Sequence, residues 1–280
     1  MKLPDTVAAI AENEASGDTA RIYAEIRETL GIVNLIWRHL ATFDGALDWA
    51  WSALRPAYRN GAVSANAYYL RGIAHLQFQS VDLVPVEALH CLGLTDATCT
   101  DIADIVASYD RSNAANLTAF NALLLRAQAG PEASGSGPSE MPINASSRNS
   151  YRKLPPILSV TDLDAPTAAL VVRLNELCST HERPIQVSIY RHLGHWPAFL
   201  SLAWAQIAPV AANGQLERCS QLIARLAQDK ASLLAATMQP MERHPVAEKA
   251  LAQFLERIGL SRMIAITAVH AQSLGVSDSS

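Results

Sequence analysis

The feature that most constrains this chain is a match between its two halves at a constant offset of 153 residues. The tripeptide Arg38-His39-Leu40 recurs as Arg191-His192-Leu193, and the positions around it agree in identity or type without a gap. The further matched pairs are Trp37 with Tyr190, Phe43 with Trp196, Leu47 with Leu200, Ala50 with Ala203, Trp51 with Trp204, Leu54 with Ile207 and Pro56 with Pro209. A repeat on this scale predicts two similar units that form an internal pseudo-dimer.

A segment of different composition separates the halves. Residues 130–150 read GPEASGSGPSEMPINASSRNS and hold few large apolar side chains. Such a composition buries too little surface to offset the entropy of ordering the chain. We therefore predict a linker over residues 130–156, between a first helical repeat over 1–129 and a second over 157–280.

Hydrophobic periodicity predicts helices throughout both halves. Ile22, Ile26 and Leu30 recur at the spacing of one helix face, and no stretch alternates in the manner of a strand. Asp44 is a candidate N-cap for a helix that Pro56 would end. Further along, the pattern predicts separate helices over 95–109 and 113–128. The predicted fold class is all-α.

Charge and composition exclude several classes of function. The 280 residues include 22 basic and 26 acidic side chains, for a formal net charge of −4, so a nucleic-acid partner is not expected. No apolar run reaches the roughly 18 residues of a membrane span, and the N-terminus lacks a signal-peptide pattern. The four cysteines lack CxxC spacing and are expected to be reduced thiols. These patterns predict a cytoplasmic globular protein.

The usual chemical motifs are absent. The sequence has no phosphate-binding glycine loop, no GxSxG nucleophile elbow and no HExxH helix. His192 and His195 are three residues apart and could share a metal ion, but no third ligand lies close to them in sequence. The sequence therefore predicts neither a metal site nor an organic cofactor.

Two short stretches carry a resemblance to a known family. Leu40-Ala41-Thr42-Phe43-Asp44-Gly45 in the first half, and Trp196-Pro197 with Ala208-Pro209-Val210 in the second, resemble the group I D,L-2-haloacid dehalogenases. The length, the duplication and the central linker agree with that family. The resemblance implies an all-α pseudo-dimer with its active site between the repeats. It also implies hydrolysis of 2-haloalkanoic acids by direct attack of an activated water, without a metal or cofactor.

When the family's site residues are transferred by position, some fall on the same residue type in this sequence and others do not. The serine falls on Ser188, the asparagine that positions the water on Asn113, and a tyrosine position on Asn116. The two aromatic pocket positions fall on Ile32 and Leu35, which are aliphatic. The aspartate that activates the water falls on Ile189. Isoleucine cannot accept a proton, so the family's general-base step cannot proceed as written.

Two neighbours of Ser188 suggest a substitute. On a helix, His192 and Arg191 would each lie about one turn beyond Ser188. Histidine could activate water and arginine could hold a carboxylate with two hydrogen bonds. The sequence thus predicts a dehalogenase-like hydrolase of small 2-haloacids in which Asn113, Ser188 and His192 are catalytic. The alternative is a non-catalytic paralogue that binds a small carboxylic acid or acts as a scaffold. Whether the chain forms a homodimer stays open.

Overall fold

Helices make up nearly all the regular structure of the protein. The structure is a computed structural model and describes residues 6–131 and 154–276. Most of the predicted linker therefore lies outside the described residues. The helices are α1 (Gly17–Leu30), α2 (Leu35–Leu40), α3 (Ala46–Arg59), α4 (Ala62–Gln77), α5 (Val86–Cys91), α6 (Asp96–Ala129), α7 (Ala165–Glu176), α8 (Ile189–His192), α9 (Pro197–Ala212), α10 (Gln215–Thr237), α11 (Pro245–Ile258) and α12 (Leu260–Ser273), with 3-10 turns at Val160–Asp162 and Leu193–His195. The described residues contain no strand beyond a single bridge at Ile185, which confirms the all-α prediction.

The centre of the fold is α6, a single helix of 34 residues. The prediction of two helices, with a break near residues 110–112, was wrong. Thr95 caps the helix, as its side-chain oxygen accepts from the backbone N–H of Thr98. From Ile105 to Phe120 nearly every α6 residue is buried, because α4, α10 and α12 pack around it.

The polar residues that suggested a break are instead paired inside the fold. The Asp110 carboxylate, 1% exposed, accepts from Arg71 Nε at 2.7 Å and from His75 Nε2 at 3.1 Å, both on α4. It also accepts from Thr267 Oγ1 on α12 at 3.1 Å. Burial acts to raise the pKa of Asp110, but the bonds from His75 and Arg71 outweigh it and hold that pKa below its usual range. Asp110 thus ties three helices together as a charged group.

Helix α3 also differs from its predicted limits. Its N-cap is Gly45 rather than Asp44, and it continues through Pro56 to Arg59. A proline inside a helix removes one backbone hydrogen bond. In α3 this loss is offset by a fully packed face, which includes Trp51 and Tyr58.

The core beneath α3 is aromatic. Trp37 of α2 meets Trp51 edge-on with ring centroids 5.6 Å apart, and it lies 4.6 Å from the ring of Phe120 on α6. Both tryptophans are almost completely buried. This contact places the short helix α2 directly against α6.

Two further properties follow from the described residues. None of their helices combines the length and the apolar character needed to cross a bilayer. The four cysteines are free thiols, of which Cys91 is exposed, Cys99 is partly buried, and Cys178 and Cys219 are buried.

The junction between α11 and α12 depends on one glycine. Gly259 ends α11 and precedes α12 with φ of 65°. A Cβ atom there would lie 2.3 Å from the carbonyl oxygen of Cys178. No other residue fits this turn without moving the backbone.

We expect Gly259→Ala to lower the free energy of unfolding by about 3 kcal/mol or more, since it adds a backbone clash to the left-handed strain. The matched control is Gly61→Ala, where φ is 82° but nothing lies within 4 Å of the added Cβ. It should cost only about 1 kcal/mol. Urea denaturation measures both, and equal losses would show that the Cys178 contact does not constrain the turn.

Candidate functional site

A small cavity lies between elements of the two halves. Its volume is about 30 Å³, enough for about two water molecules. It is bounded by α2, α6, the segment before α8, α11 and α12. The residues that line it are Asn34, Leu35, Ile36, Tyr109, Asn113, Asn116, Val187, Ser188, Phe254, Ile258, Leu260 and Met263.

Helix α6 supplies the polar wall from the first half. Tyr109, Asn113 and Asn116 follow one another at intervals of four and three residues, so they share one face of the helix. Asn116 Oδ1 accepts from the hydroxyl of Tyr58 at 3.3 Å. Asn113 is 3% exposed, and within the described chain its Nδ2 has no hydrogen-bond partner. An amide donor without a partner is thus buried in the wall of the cavity.

Asn34, just before α2, adds a complementary group. Its Nδ2 donates to Ser112 Oγ at 3.0 Å, while its Oδ1 is buried and has no partner among the described residues. Buried polar atoms are normally satisfied, and an orphaned one costs on the order of 1–3 kcal/mol. Asn34 and Asn113 together favour a bound polar molecule in the cavity.

Ser188 lies on the opposite side, at the N-cap of α8. Its Oγ is 3.5 Å from Nη2 of Arg191. Burial lowers the pKa of Arg191, and the nearby charge of Arg38 lowers it further. The Nε atoms of both arginines are buried without a partner within the described chain. Arg191 therefore lies beside Ser188, and Arg38, from the first half of the chain, lies near enough to Arg191 to lower its pKa.

His192 lies behind Tyr109 rather than in the cavity. Its Nε2 donates to the carbonyl of Pro155, so its Nδ1 accepts from the Tyr109 hydroxyl at 3.4 Å. Burial lowers the pKa of His192 to about 4, against the opposite effect of the Pro155 carbonyl. Burial raises the pKa of Tyr109 to about 12. Near pH 7 the imidazole is therefore neutral, with both nitrogens engaged, and the phenol keeps its proton.

The other histidines near the repeated tripeptide also bind backbone carbonyls. His195 Nε2 bonds the carbonyl of Pro156 at 2.8 Å, and His39 Nδ1 bonds that of Ala8 at 2.7 Å. These contacts tie the extended segments before each half to α2 and to the turn after α8. No group of three or more potential metal ligands lies together in the described residues.

The structure separates the predicted site residues into two groups. Those that line the cavity are Leu35, Asn113, Asn116 and Ser188. Those that do not line it are Ile32, Ile189, Arg191 and His192. Ile32 and Ile189 belong to the hydrophobic core, whereas Arg191 and His192 touch the cavity residues Ser188 and Tyr109.

Sequence reasoning missed Tyr109 and Asn34. Tyr109 lies one helical turn before Asn113, so the spacing could have placed it on the same face once residues 109–116 were taken as helical. The predicted break after residue 109 hid that relation. No sequence pattern points to Asn34, because the residue at the matching position of the second half, Val187, is apolar.

The comparisons with known proteins concern structure. A mutant of D-2-haloacid dehalogenase in complex with D-2-CPA superposes with a TM-score of 0.73 and 15% identity, over 98% of this chain and 99% of that one. A complex of D-2-haloacid dehalogenase with L-LA superposes with a TM-score of 0.68 and 16% identity, over 99% of this chain and 97% of that one. A further structure, of a D-2-haloacid dehalogenase mutant, superposes with a TM-score of 0.69 and 16% identity, over 99% of this chain and 96% of that one. No family model matches the chain, and no curated protein matches it significantly in sequence. The chain therefore has a haloacid dehalogenase-like fold.

The buried imidazole of His192 makes stability depend on pH. Its folded pKa of about 4 lies below the ordinary 6.5, so between those values the unfolded chain binds a proton that the folded chain does not. Acidification from pH 6.5 to 4 should remove about 2–3 kcal/mol of stability through this group. Buried His270, with its pKa also lowered to about 4, acts in the same direction.

Denaturation at several pH values in this window tests the effect. His192→Asn should flatten the dependence on pH, although it also lowers stability at neutral pH. Tyr109→Phe is the control, because it removes the partner of Nδ1 and leaves the titrating group in place. The same slope in His192→Asn and wild type would contradict the assignment.

Proposed function

We propose that this chain is a haloacid dehalogenase-like protein whose cavity between the halves binds a small carboxylic acid. The observation that carries the proposal is the pair Arg38 and Arg191. Both side chains are partly buried, and their Nε atoms are buried without a partner within the described chain. Neighbouring guanidinium groups without an anion disfavour each other's charge. The groups that shift the Arg191 pKa are Tyr109 and Arg38, and neither is an anion at neutral pH. A ligand carboxylate beside Ser188 would supply the missing negative charge.

The neutral groups of the cavity fit the rest of such a ligand. Asn113 Nδ2 offers a donor and Asn34 Oδ1 an acceptor, while Leu35, Phe254 and Met263 provide apolar contacts. The volume of about 30 Å³ is smaller than a three-carbon acid, so binding requires these apolar side chains to change rotamer. Such adjustment favours short acids over long ones.

Turnover is the second candidate, and the fold supports it. Three solved structures that share the fold are of D-2-haloacid dehalogenases, and Ser188 and Asn113 face a space for about two water molecules. Against turnover, none of the described residues that line the cavity is a carboxylate or a histidine. Ile189 is 1% exposed in the core and His192 has both nitrogens occupied. This arrangement favours binding over hydrolysis.

We infer as well that the two halves are copies of one helical unit. Gly61 and Gly214, separated by the same 153 residues, occupy the N-caps of α4 and α10 in the left-handed conformation. The helices from α1 to α4 and from α7 to α10 follow in the same order. His39 and His192, also 153 residues apart, each bond a backbone carbonyl earlier in their own half or just before it, although through different ring nitrogens. These parallels support a pseudo-dimer with the cavity between its units.

Halide release from D- and L-2-chloropropanoate tests turnover. We expect no release above background from wild type, because a missing general base typically costs about 10²–10⁴-fold in rate. Ile189→Asp should not restore release, because the Ile189 side chain lies in the core and not in the cavity. Ile189→Asn is the matched control that cannot accept a proton, and release by the aspartate variant alone would show that this position reaches the bound acid. Turnover by wild type would instead favour hydrolysis, and His192→Ala would then test the substitute base.

Calorimetric titration with lactate and with 2-chloropropanoate tests binding. Arg191→Gln should weaken binding at least about tenfold, since it removes a charge-assisted hydrogen bond. Arg173→Gln, an exposed arginine on α7, is the control of equal charge and should leave the affinity unchanged. Binding of neither acid to wild type would overturn the proposed ligand class.

A further inference from the structure

A second, larger depression lies on the surface above the cavity. Its volume is about 580 Å³, and it is formed by α11, by the ends of α2 and by the segments around residues 7 and 185. We call it the α11 groove. Its lining residues are Val7, His39, Phe43, Ile185, Pro245, Val246, Lys249, Ala250, Gln253, Phe254 and Arg257.

The charged side chains that line the α11 groove are basic. Lys249 is exposed, and Arg257 lies partly buried with its Nε donating to the carbonyl of Arg183. None of the described residues in the lining is an aspartate or a glutamate. In a chain with a formal net charge of −4, a groove of this kind concentrates anions locally.

One side chain separates the groove from the cavity. Phe254 lines both, and it is 3% exposed. Its ring stacks on the imidazole of His39 with centroids 5.5 Å apart and an angle of 29° between the planes. Phe254 is the one described residue that lines both spaces, so rotation about its side-chain bonds would connect them.

We propose that the α11 groove is the entrance of the cavity, that Lys249 and Arg257 select small anions there, and that Phe254 is the gate. This inference rests on the proposed function, because the cavity behind the gate is the carboxylate site. It adds a route and a charge preference for the ligand. Acids would enter faster than neutral molecules of the same shape.

A thiol placed inside the cavity tests the route without requiring the ligand site to function. The variant Ser188→Cys, with Cys91→Ser and Cys99→Ser to remove the accessible thiols, is treated with iodoacetate or with iodoacetamide. The thiolate sulfur bonds the methylene carbon of either reagent and iodide leaves with the electron pair. The two reagents differ in charge and little in shape. Their rate ratio, divided by that of free cysteine, measures selection at the entrance.

We expect Lys249→Gln to lower this ratio about two- to fivefold at low ionic strength. The effect should vanish at about 0.5 M salt, which screens exposed charges. Lys230→Gln is the matched control, as this lysine lies over the ring of Tyr69 on another face. An equal change in both lysine variants would overturn the selective role of the groove.

Phe254→Ala should raise the labelling rates of both reagents about tenfold, because it opens the route to the introduced thiol. Phe254→Leu should raise them less, and it replaces the alanine variant where that variant does not fold. The buried thiol of Cys219 is the internal reference. A parallel rise in the labelling rate of Cys219 would mean that the whole fold has loosened, and it would overturn the role of Phe254 as a gate. Unchanged labelling rates at the introduced thiol, or labelling of that thiol only in denaturant, would also overturn it. If labelling behaves as expected while calorimetry shows no bound acid, the entrance stands and the proposed function fails. If acids bind but the gate and lysine variants label as wild type does, the entrance fails alone.

Discussion

The arrangement of this molecule depends on the buried carboxylate of Asp110. An unpaired charge in that position would be too costly to bury, so Arg71, His75 and Thr267 must lie where they can bond it. This fixes the rotation of α6 against α4 and α12. Tyr109, Asn113 and Asn116 lie about a quarter of a turn away around the same helix. The direction in which they point is therefore set by an ion pair outside the cavity.

The helical class follows from hydrophobic periodicity, since each apolar stripe has a single way to be buried. The break after Tyr109 was mispredicted because a run such as Asp110-Arg111-Ser112 reads the same at a surface turn as inside a core. The partners of Asp110, which are Arg71, His75 and Thr267, are all distant in the sequence and distinguish the two cases. Likewise Ser188 and Ile189 are adjacent in sequence, but consecutive helical positions differ by about 100°. One faces the cavity and the other enters the core.

The chemistry of the site is set by what surrounds each titratable group. Burial lowers the pKa of His192 and raises that of Tyr109, so each shift favours the neutral form of its group near pH 7. Arg191 places a guanidinium group beside the hydroxyl of Ser188. The cavity itself is lined by neutral amides, hydroxyls and apolar groups, and Arg191 lies next to it through its contact with Ser188. Proton transfer from water would need a further acceptor.

The length of α6 also limits how the molecule can move. At about 1.5 Å per residue, its 34 residues form a rod of about 50 Å. The rod packs against helices of its own half and, most extensively, against α10 and α12 of the other. A clamshell motion that parts the halves would bend this rod or strip its apolar faces. Any molecule that reached the interior of this bundle would have to pass by local side-chain fluctuations, which are faster than the microsecond-to-millisecond motions of domain hinges.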